Sequence, residues 1–472
     1  AGTFDGFLVQ SKNRLQIAAP AGATLSAPLG DCVRIADATE VTVEGFRIEG
    51  CVGPGVRVTG GARNVLRALT LVGNGAGSSN ADPASNLIAT NTDELLLEHI
   101  DSSLGGKSGM YLGGCVRPII RGCFLHDNPV AGIYLDGGTE EVLVERNEVS
   151  SNAMGSSHFD GVAGIELAST LRGAVENNLV LHHEEPGLRV HSGASGVEVI
   201  NNTVVQAASD DYCLWLGTTS NVSIYNNILL HAGSGGGSIQ LGDNPPALSD
   251  YNLLTDRLDD GSGNSSLVEW MQNHGLDIHS IASNAQGVFV NPGAGDFHLD
   301  QGSPAVDHGL NTAAPALDIE GTPRPQNGVV DMGAYELVGA PPGPDAGMPP
   351  DAAEPGPDAA QEGPDAMEPG LDAETHPDAE QPDAAVELDA QSPQDCGPSD
   401  DAAREPDAGL VVADVGPELH DASVDAAEPD RDAALPAPAQ FDLGGCGCSS
   451  GGPATSLLVA SALGIWALRR RR

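Results

Sequence analysis

Short apolar runs of period two, each broken by Gly or Asn, recur along the first half of the chain and set its architecture. Val41–Ile48, Val142–Val149, Gly173–Val180, Val197–Val204 and Val222–Leu229 share one pattern: β-branched residues, then a turn, then more β-branched residues. Aligned on the turn, the repeats place Phe46, Leu69, Ile100, Cys123, Asn147, Asn178, Asn202, Asn227 and Asn252 in one column. The steps are 23, 31, 23, 24, 31, 24, 25 and 25 residues. A unit of this length holds three short strands and three turns. It cannot bury its own apolar side, so the units must stack, with parallel pairing about 4.8 Å apart. The spacing therefore predicts an all-β, right-handed, single-stranded parallel β-helix of about ten coils over residues 1–255. The five successive Asn predict an internal amide ladder, each bonded to the same amide one coil on, with Asn tolerating a left-handed turn.

These repeats resemble the right-handed β-helix of pectate lyases and related polysaccharide-active proteins. The resemblance covers about half the chain and implies the fold. That fold hosts lyases, hydrolases, epimerases and adhesins, so it leaves the activity open.

The 31-residue steps carry extra residues at one corner, in Gly73–Ala84 and Ser151–Val162, and predict two loops walling a cleft. The first strand of each coil includes Gly-Met110-Tyr-Leu112, Gly-Ile133-Tyr-Leu135, Gly-Ile165-Glu-Leu167, Gly-Leu188-Arg-Val190 and Cys-Leu214-Trp-Leu216. Alternation turns the middle residue outward and gives a surface column of Arg34, Arg57, Ile88, Tyr111, Tyr134, Glu166, Arg189, Trp215 and Gln240. Aromatic faces stack on sugars and Arg reads carboxylates or sulfates bidentately, so Arg57, Tyr111, Tyr134 and Trp215 are the candidate substrate-binding residues. The same residues would also pair between coils on a purely solvated sheet.

Two chemistries fit the neighbouring charges. A lyase or epimerase needs a base and a cation or Ca²⁺ to stabilise an enolate. Arg189 and Lys107 are the candidates for base or neutraliser, and Asp160 and Glu184 for metal ligands. A hydrolase needs two carboxylates, and Asp160 with Glu166 is the candidate pair. His126, His182, His183 and His231 gather near ends of third strands, as turn caps or as a metal-binding edge. Cys32 and Cys51 are placed to pair, and Cys115, Cys123 and Cys213 to fill the core.

The pattern changes within residues 256–339, which are expected to form a C-terminal cap. Asp318-Ile-Glu-Gly-Thr-Pro-Arg324-Pro and Val330-Asp331-Met-Gly-Ala-Tyr-Glu336 resemble the terminal module that follows β-helices in many bacterial surface proteins. A cap would cover the last coil's bare edge, with Arg324 pairing Asp318 or Asp331.

Composition then divides the chain. Residues 340–443 are rich in Pro, Asp and Ala, cannot bury a core, and predict a disordered acidic tether reaching on the order of 300 Å at most. The net charge is −45, and residues 1–340 carry about −24 of it. A folded domain of that sign excludes phosphate-directed nucleic-acid binding. Residues 444–472 hold Cys446 and Cys448 in a small-residue motif, then a 15-residue apolar run, Ala454 to Leu468, and four arginines. The run is short against the roughly 20 residues of a permanent span. This tail resembles the C-terminal sorting signal of myxobacterial surface proteins. The resemblance implies cleavage near the Cys motif by a sorting peptidase, membrane attachment through the tail, and display at the surface or outer membrane of a Gram-negative, myxobacterium-like cell. The absence of Met and a signal peptide at Ala1 suits a processed or truncated N-terminus. The combined expectation is a monomeric, surface-anchored β-helix that binds, and in a lyase-type reaction cleaves, an extracellular polysaccharide. The rivals are a non-enzymatic adhesin or structural protein, a glycoside hydrolase and a uronate epimerase.

Overall fold

The structure, a computed structural model, describes residues 2–339 apart from 20–21, 28, 77–83, 155–161, 208 and 243. The tether, Cys446, Cys448 and the rest of the tail lie outside the described residues, as does Asp160. Among the described residues no helix is long and apolar enough to cross a membrane.

Each coil contributes one strand to each of three long sheets. The first and third sheets have 12 strands and the second has 10, and all but one of the pairings that build them are parallel. About eleven turns stack, one more than the repeat count suggests. First strands supply two inward side chains per coil, as in Met110 and Leu112 or Leu188 and Val190. Second and third strands supply one each, as in Ile120 and Leu125, and all of these are buried. Cys115, Cys123 and Cys213 are buried and free. Cys32 and Cys51 form a disulfide between neighbouring turns of the stack, with Cα atoms 5.9 Å apart.

The amide ladder runs from Asn147 through Asn178, Asn202 and Asn227 to Asn252, with side-chain bonds of 2.9–3.1 Å at each step. The left-handed residue is the one before each ladder position, not the ladder Asn itself: Arg146, Asn177, Asn201, Asn226 and Tyr251 all have φ between 52° and 57°. The tight turn thus falls one place earlier than expected and frees the ladder side chain to point inward. A second ladder, on the corner after the third strand, links Asn128 to Asn152 at 2.9 Å. It passes to His183, which accepts from the Asn152 backbone N–H at 3.1 Å.

The stack continues past the expected boundary at 255, since Leu258–Asp259 and Ile281–Ser283 still pair in parallel with the preceding coils. Helix α1 (Leu267–His274) begins at a Ser266/Glu269 capping box and ends at Gly275 in the left-handed conformation. Its Leu267 and Trp270 join the interior core of the coils. The Trp270 indole donates to Asp277 at 3.0 Å, and Asp277 in turn accepts from Asn252 at 3.1 Å, closing the ladder. Residues 284–337 do not lie on that end. Phe289, Phe297, Leu299 and Met332 pack on Leu179, Leu181, Ile228, Leu230 and Leu253, the outward side chains of the third sheet. This segment is a lateral brace, because those coils carry apolar residues outside as well as inside.

The outer face of the second sheet is an ion ladder. Glu44 holds Arg67 at 2.6 Å and Glu98 holds Arg121 at 2.7 Å. Alternation then fails, and Glu145 stands in register with Glu176. Burial, then the Glu145 and Glu198 charges, push Glu176 up to about 7. A carboxyl raised on folding holds its proton more tightly in the native state, so its contribution to stability falls as pH rises from 4.5 to about 7. Glu176→Gln should flatten that part of the stability–pH curve, and urea unfolding of both proteins across the window checks it. An unchanged slope would place the native Glu176 among ordinary carboxylates.

Candidate functional site

The outward column of the first sheet stands as alternation requires. Arg34, Arg57, Ile88, Tyr111, Tyr134, Glu166, Arg189, Trp215 and Gln240 are in register, strand to strand. Tyr111 to Trp215 covers four coil steps, roughly 19 Å at the parallel spacing. Tyr111 and Tyr134 meet edge to face with centroids 5.4 Å apart. Burial first, then the charges of Asp136 and Glu166, push the Tyr134 phenol up, so it stays a protonated O–H donor.

Glu166 departs from the expectation of a solvated surface charge, because it is fully buried. Its Oε1 lies 2.6 Å from Nε2 of His191, and Nδ1 of His191 lies 2.8 Å from the hydroxyl of Ser192. The network assigns a proton to Nε2, which donates to the carboxylate, and leaves Nδ1 to accept from Ser192. Oε2 of Glu166 has no hydrogen-bond partner. These contacts connect the buried carboxylate through His191 to the exposed Ser192.

Arg189 does not use that free oxygen, although Glu166 is its register neighbour. Its guanidinium lies over the ring of Trp215, 4.5 Å from the centroid. The ring lies flat along the sheet because the next outward position is Gly217. A Cβ there would come within 2.7 Å of the ring. His191 meets the same ring edge-on at 5.9 Å.

The other expected site residues do not converge here. Lys107 sits on the turn before Met110–Gly113, two coils before Glu166. Arg57 is tied to Asp31 at 2.7 Å, three coils before Tyr134. Glu184 is exposed on the turn before Leu188–His191, and its carbonyl accepts from Asp211. Asp160, the partner expected for both Glu166 and Glu184, lies outside the described residues. Among the described residues no group of three or more His, Cys, Asp or Glu is arranged to hold a metal ion.

The four histidines have separate tasks. His183 is buried between Asn152 and the Val149 carbonyl, and burial lowers it to about 4. His231 bridges the Asp210 carbonyl and the Gly233 N–H. Burial would lower His126, but Asp101 and Asp127 together outweigh it and raise its pKa. His182 is half exposed at the turn, 4.0 Å from Asp210.

Two residues missed in the sequence complete the face. Asp136 and His191 each stand two places after a column residue, in a second outward row with Gly113, Ala168 and Gly217. Extending the alternation by one more period finds them.

The class defined by this fold is the right-handed parallel β-helix. The family model described as "Right handed beta helix region" matches residues 21–160 and 99–229. No curated protein sequence matches this chain. Among solved structures, it is similar to PfbA, a surface adhesin of Streptococcus pneumoniae, at 10% identity and TM-score 0.37, over 56% of this chain and 66% of the adhesin. It is similar to pectate lyase Pel9A at 11% identity and TM-score 0.37, over 67% of this chain and 88% of the lyase. It is also similar to the A-module of the Azotobacter vinelandii mannuronan C-5 epimerase AlgE4 at 11% identity and TM-score 0.36, over 60% of this chain and 87% of the module.

Proposed function

We propose that this protein binds an extracellular polysaccharide along the first sheet, displayed at the cell surface on its acidic tether and sorting tail. The observation that carries the reading is the file of Tyr111, Tyr134, Arg189 and Trp215, one or two coils apart in a single column, beside the hydrogen-bonding groups of Asp136 and His191. Sugars offer alternating apolar faces and hydroxyl edges, and this strip offers rings and polar groups in the same alternation. Cleavage of the bound chain is the second reading, favoured by the Glu166–His191 pair. The pair joins a buried carboxylate through an imidazole to a hydroxyl at the surface, an arrangement suited to general acid–base chemistry.

Trp215→Ala is the test. Losing one fully used aromatic face should weaken glycan binding by about 10- to 100-fold. The assay uses the full chain against neutral and acidic polysaccharides, with and without Ca²⁺, scoring retention, unsaturated products and new reducing ends. Unsaturated products mark elimination, and reducing ends alone mark hydrolysis. Retention without product marks a binding protein. Equal retention by the parent and the variant would remove the face from consideration. Capture of the same glycan by intact cells, lost when the chain stops at residue 443, checks the surface display.

A further inference from the structure

Arg189 of the preceding coil rests its guanidinium on the ring of its register neighbour Trp215. Three observations make this arrangement unusual within the molecule. Arg63, Arg67, Arg117 and Arg121, on the second sheet and its turns, each hold a carboxylate. Arg189, among the described residues, makes no ion pair and rests on the ring at 4.5 Å. Its register neighbour Glu166 meanwhile keeps Oε2 buried with no hydrogen-bond partner, while His191 fixes Oε1 at 2.6 Å. A buried carboxylate oxygen left bare is costly, and a guanidinium one strand away would satisfy it.

We infer that Arg189 is a displaceable occupant of a sugar subsite on Trp215, with a second seat waiting at Oε2 of Glu166. The inference rests on the polysaccharide-binding reading above and names the unit that the subsite takes. A pyranose that stacks on Trp215 displaces the guanidinium, which moves to Glu166 and forms a charge-assisted pair there. Both charges are then cancelled, and Gly217 places no side chain against the ring, which His191 meets only edge-on. The subsite that remains is an apolar ring beside a neutral ion pair. It therefore selects a neutral pyranose over a uronate, whose carboxylate would compete for the same guanidinium. The guanidinium becomes more buried in the exchange, but it does so against the opposite charge of Glu166.

The device is testable without any sugar. The measurement is NMR of the Arg189 Nε–H in the full chain, with the parent compared against Trp215→Ala and Trp215→Ala/Glu166→Gln. In the parent the signal carries the upfield ring-current shift of a group over an indole. In Trp215→Ala that shift disappears, and hydrogen exchange of the Nε–H slows as Arg189 takes its second seat. In the double variant, exchange returns to the rate of a solvated guanidinium. Equal exchange in the single and double variants would overturn the inference, since Arg189 would then have no second seat.

A binding arm separates this from the broader proposal. Arg189→Ala should raise affinity for neutral oligosaccharides by about 3- to 10-fold, the worth of removing a cation from a ring face. The substitution leaves the inward Leu188 and Val190 in place. Weaker neutral-sugar binding by Arg189→Ala, with Trp215→Ala also weak, would show Arg189 to be a direct ligand contact. That result overturns the displacement and keeps the face. No binding by any variant removes the face, and the exchange result still decides whether Arg189 has two seats.

Discussion

Replacing Arg324 by alanine should cost about 3–5 kcal/mol of stability, the largest single loss we expect in the brace. Arg324 and Glu336 form an ion pair at 2.7 Å with side chains 0% and 1% exposed. The guanidinium also donates to the carbonyls of Asp331 at 3.1 Å and Gly333 at 2.7 Å, and to the Asn177 side chain at 3.3 Å. Glu336 accepts in addition from the backbone N–H of Gln326 and Asp331. Taking away the arginine strands a carboxylate in the interior, and that stranded charge sets the size of the effect.

Arg324→Ala/Glu336→Gln should recover part of the loss, because the charge is gone. Urea unfolding of the parent, both single variants and the double variant measures the coupling. Hydrogen exchange should show residues 305–337 opening first, since Arg324 and Asn177 join the brace to the coils. A loss below about 1 kcal/mol would mean that water replaces the arginine and the pair is not sealed.

The expected partners of Arg324, Asp318 and Asp331, turn out to be occupied as backbone acceptors. Asp318 takes the N–H groups of Glu320, Thr322 and Glu336. Asp331 takes those of Asp307 and Leu337. Sequence can say that a buried arginine needs a carboxylate, but five stand within 20 residues of Arg324: Asp307, Asp318, Glu320, Asp331 and Glu336. The choice among them depends on which turns need their amides satisfied.

The same distinction separates what was legible in the helix from what was not. Period two and the repeat length define which side chain of Leu188-Arg-Val190 faces in, so the whole outward column could be read from the chain. Side-chain direction beyond that column could not. Nothing in the residue types says that Arg189 leans toward Trp215 rather than Glu166, because that choice depends on Gly217 leaving room for a flat ring. His191 was overlooked because the alternation was followed for one outward position per strand, while Leu188–His191 offers two. The brace was read as a cap because coils with apolar residues on both sides, such as Leu179-Val180-Leu181, look like an ordinary buried strand. The leucines are buried by the brace and the valine by the coil interior.

Asn178→Leu should destabilise the helix by about 3 kcal/mol or more, although leucine is close in size and lies in an apolar interior. The Asn178 amide donates to the Val144 carbonyl at 2.9 Å and to Oδ1 of Asn202 at 2.9 Å. Its own Oδ1 accepts from the backbone and side-chain nitrogens of Asn147, both at 3.0 Å. Leucine removes all four bonds and leaves their partners buried, at about 1–3 kcal/mol for each group that finds no substitute. The column itself shows that apolar residues are acceptable in company, since Phe46, Leu69 and Ile100 fill the same position in earlier coils and are buried there. The loss therefore comes from interrupting a ladder rather than from the fold's need for amides. Replacing the terminal Asn252 tests this from the other end. Its Nδ2 meets Ile224, Ser249 and Asp277, so Asn252→Leu should also take one donor from the carboxylate that holds Trp270. Thermal unfolding of both variants decides the matter. A loss at Asn178 no larger than that of a surface Asn would mean that the neighbouring amides re-pair across the gap, and the ladder would then be a consequence of the stack rather than one of its supports.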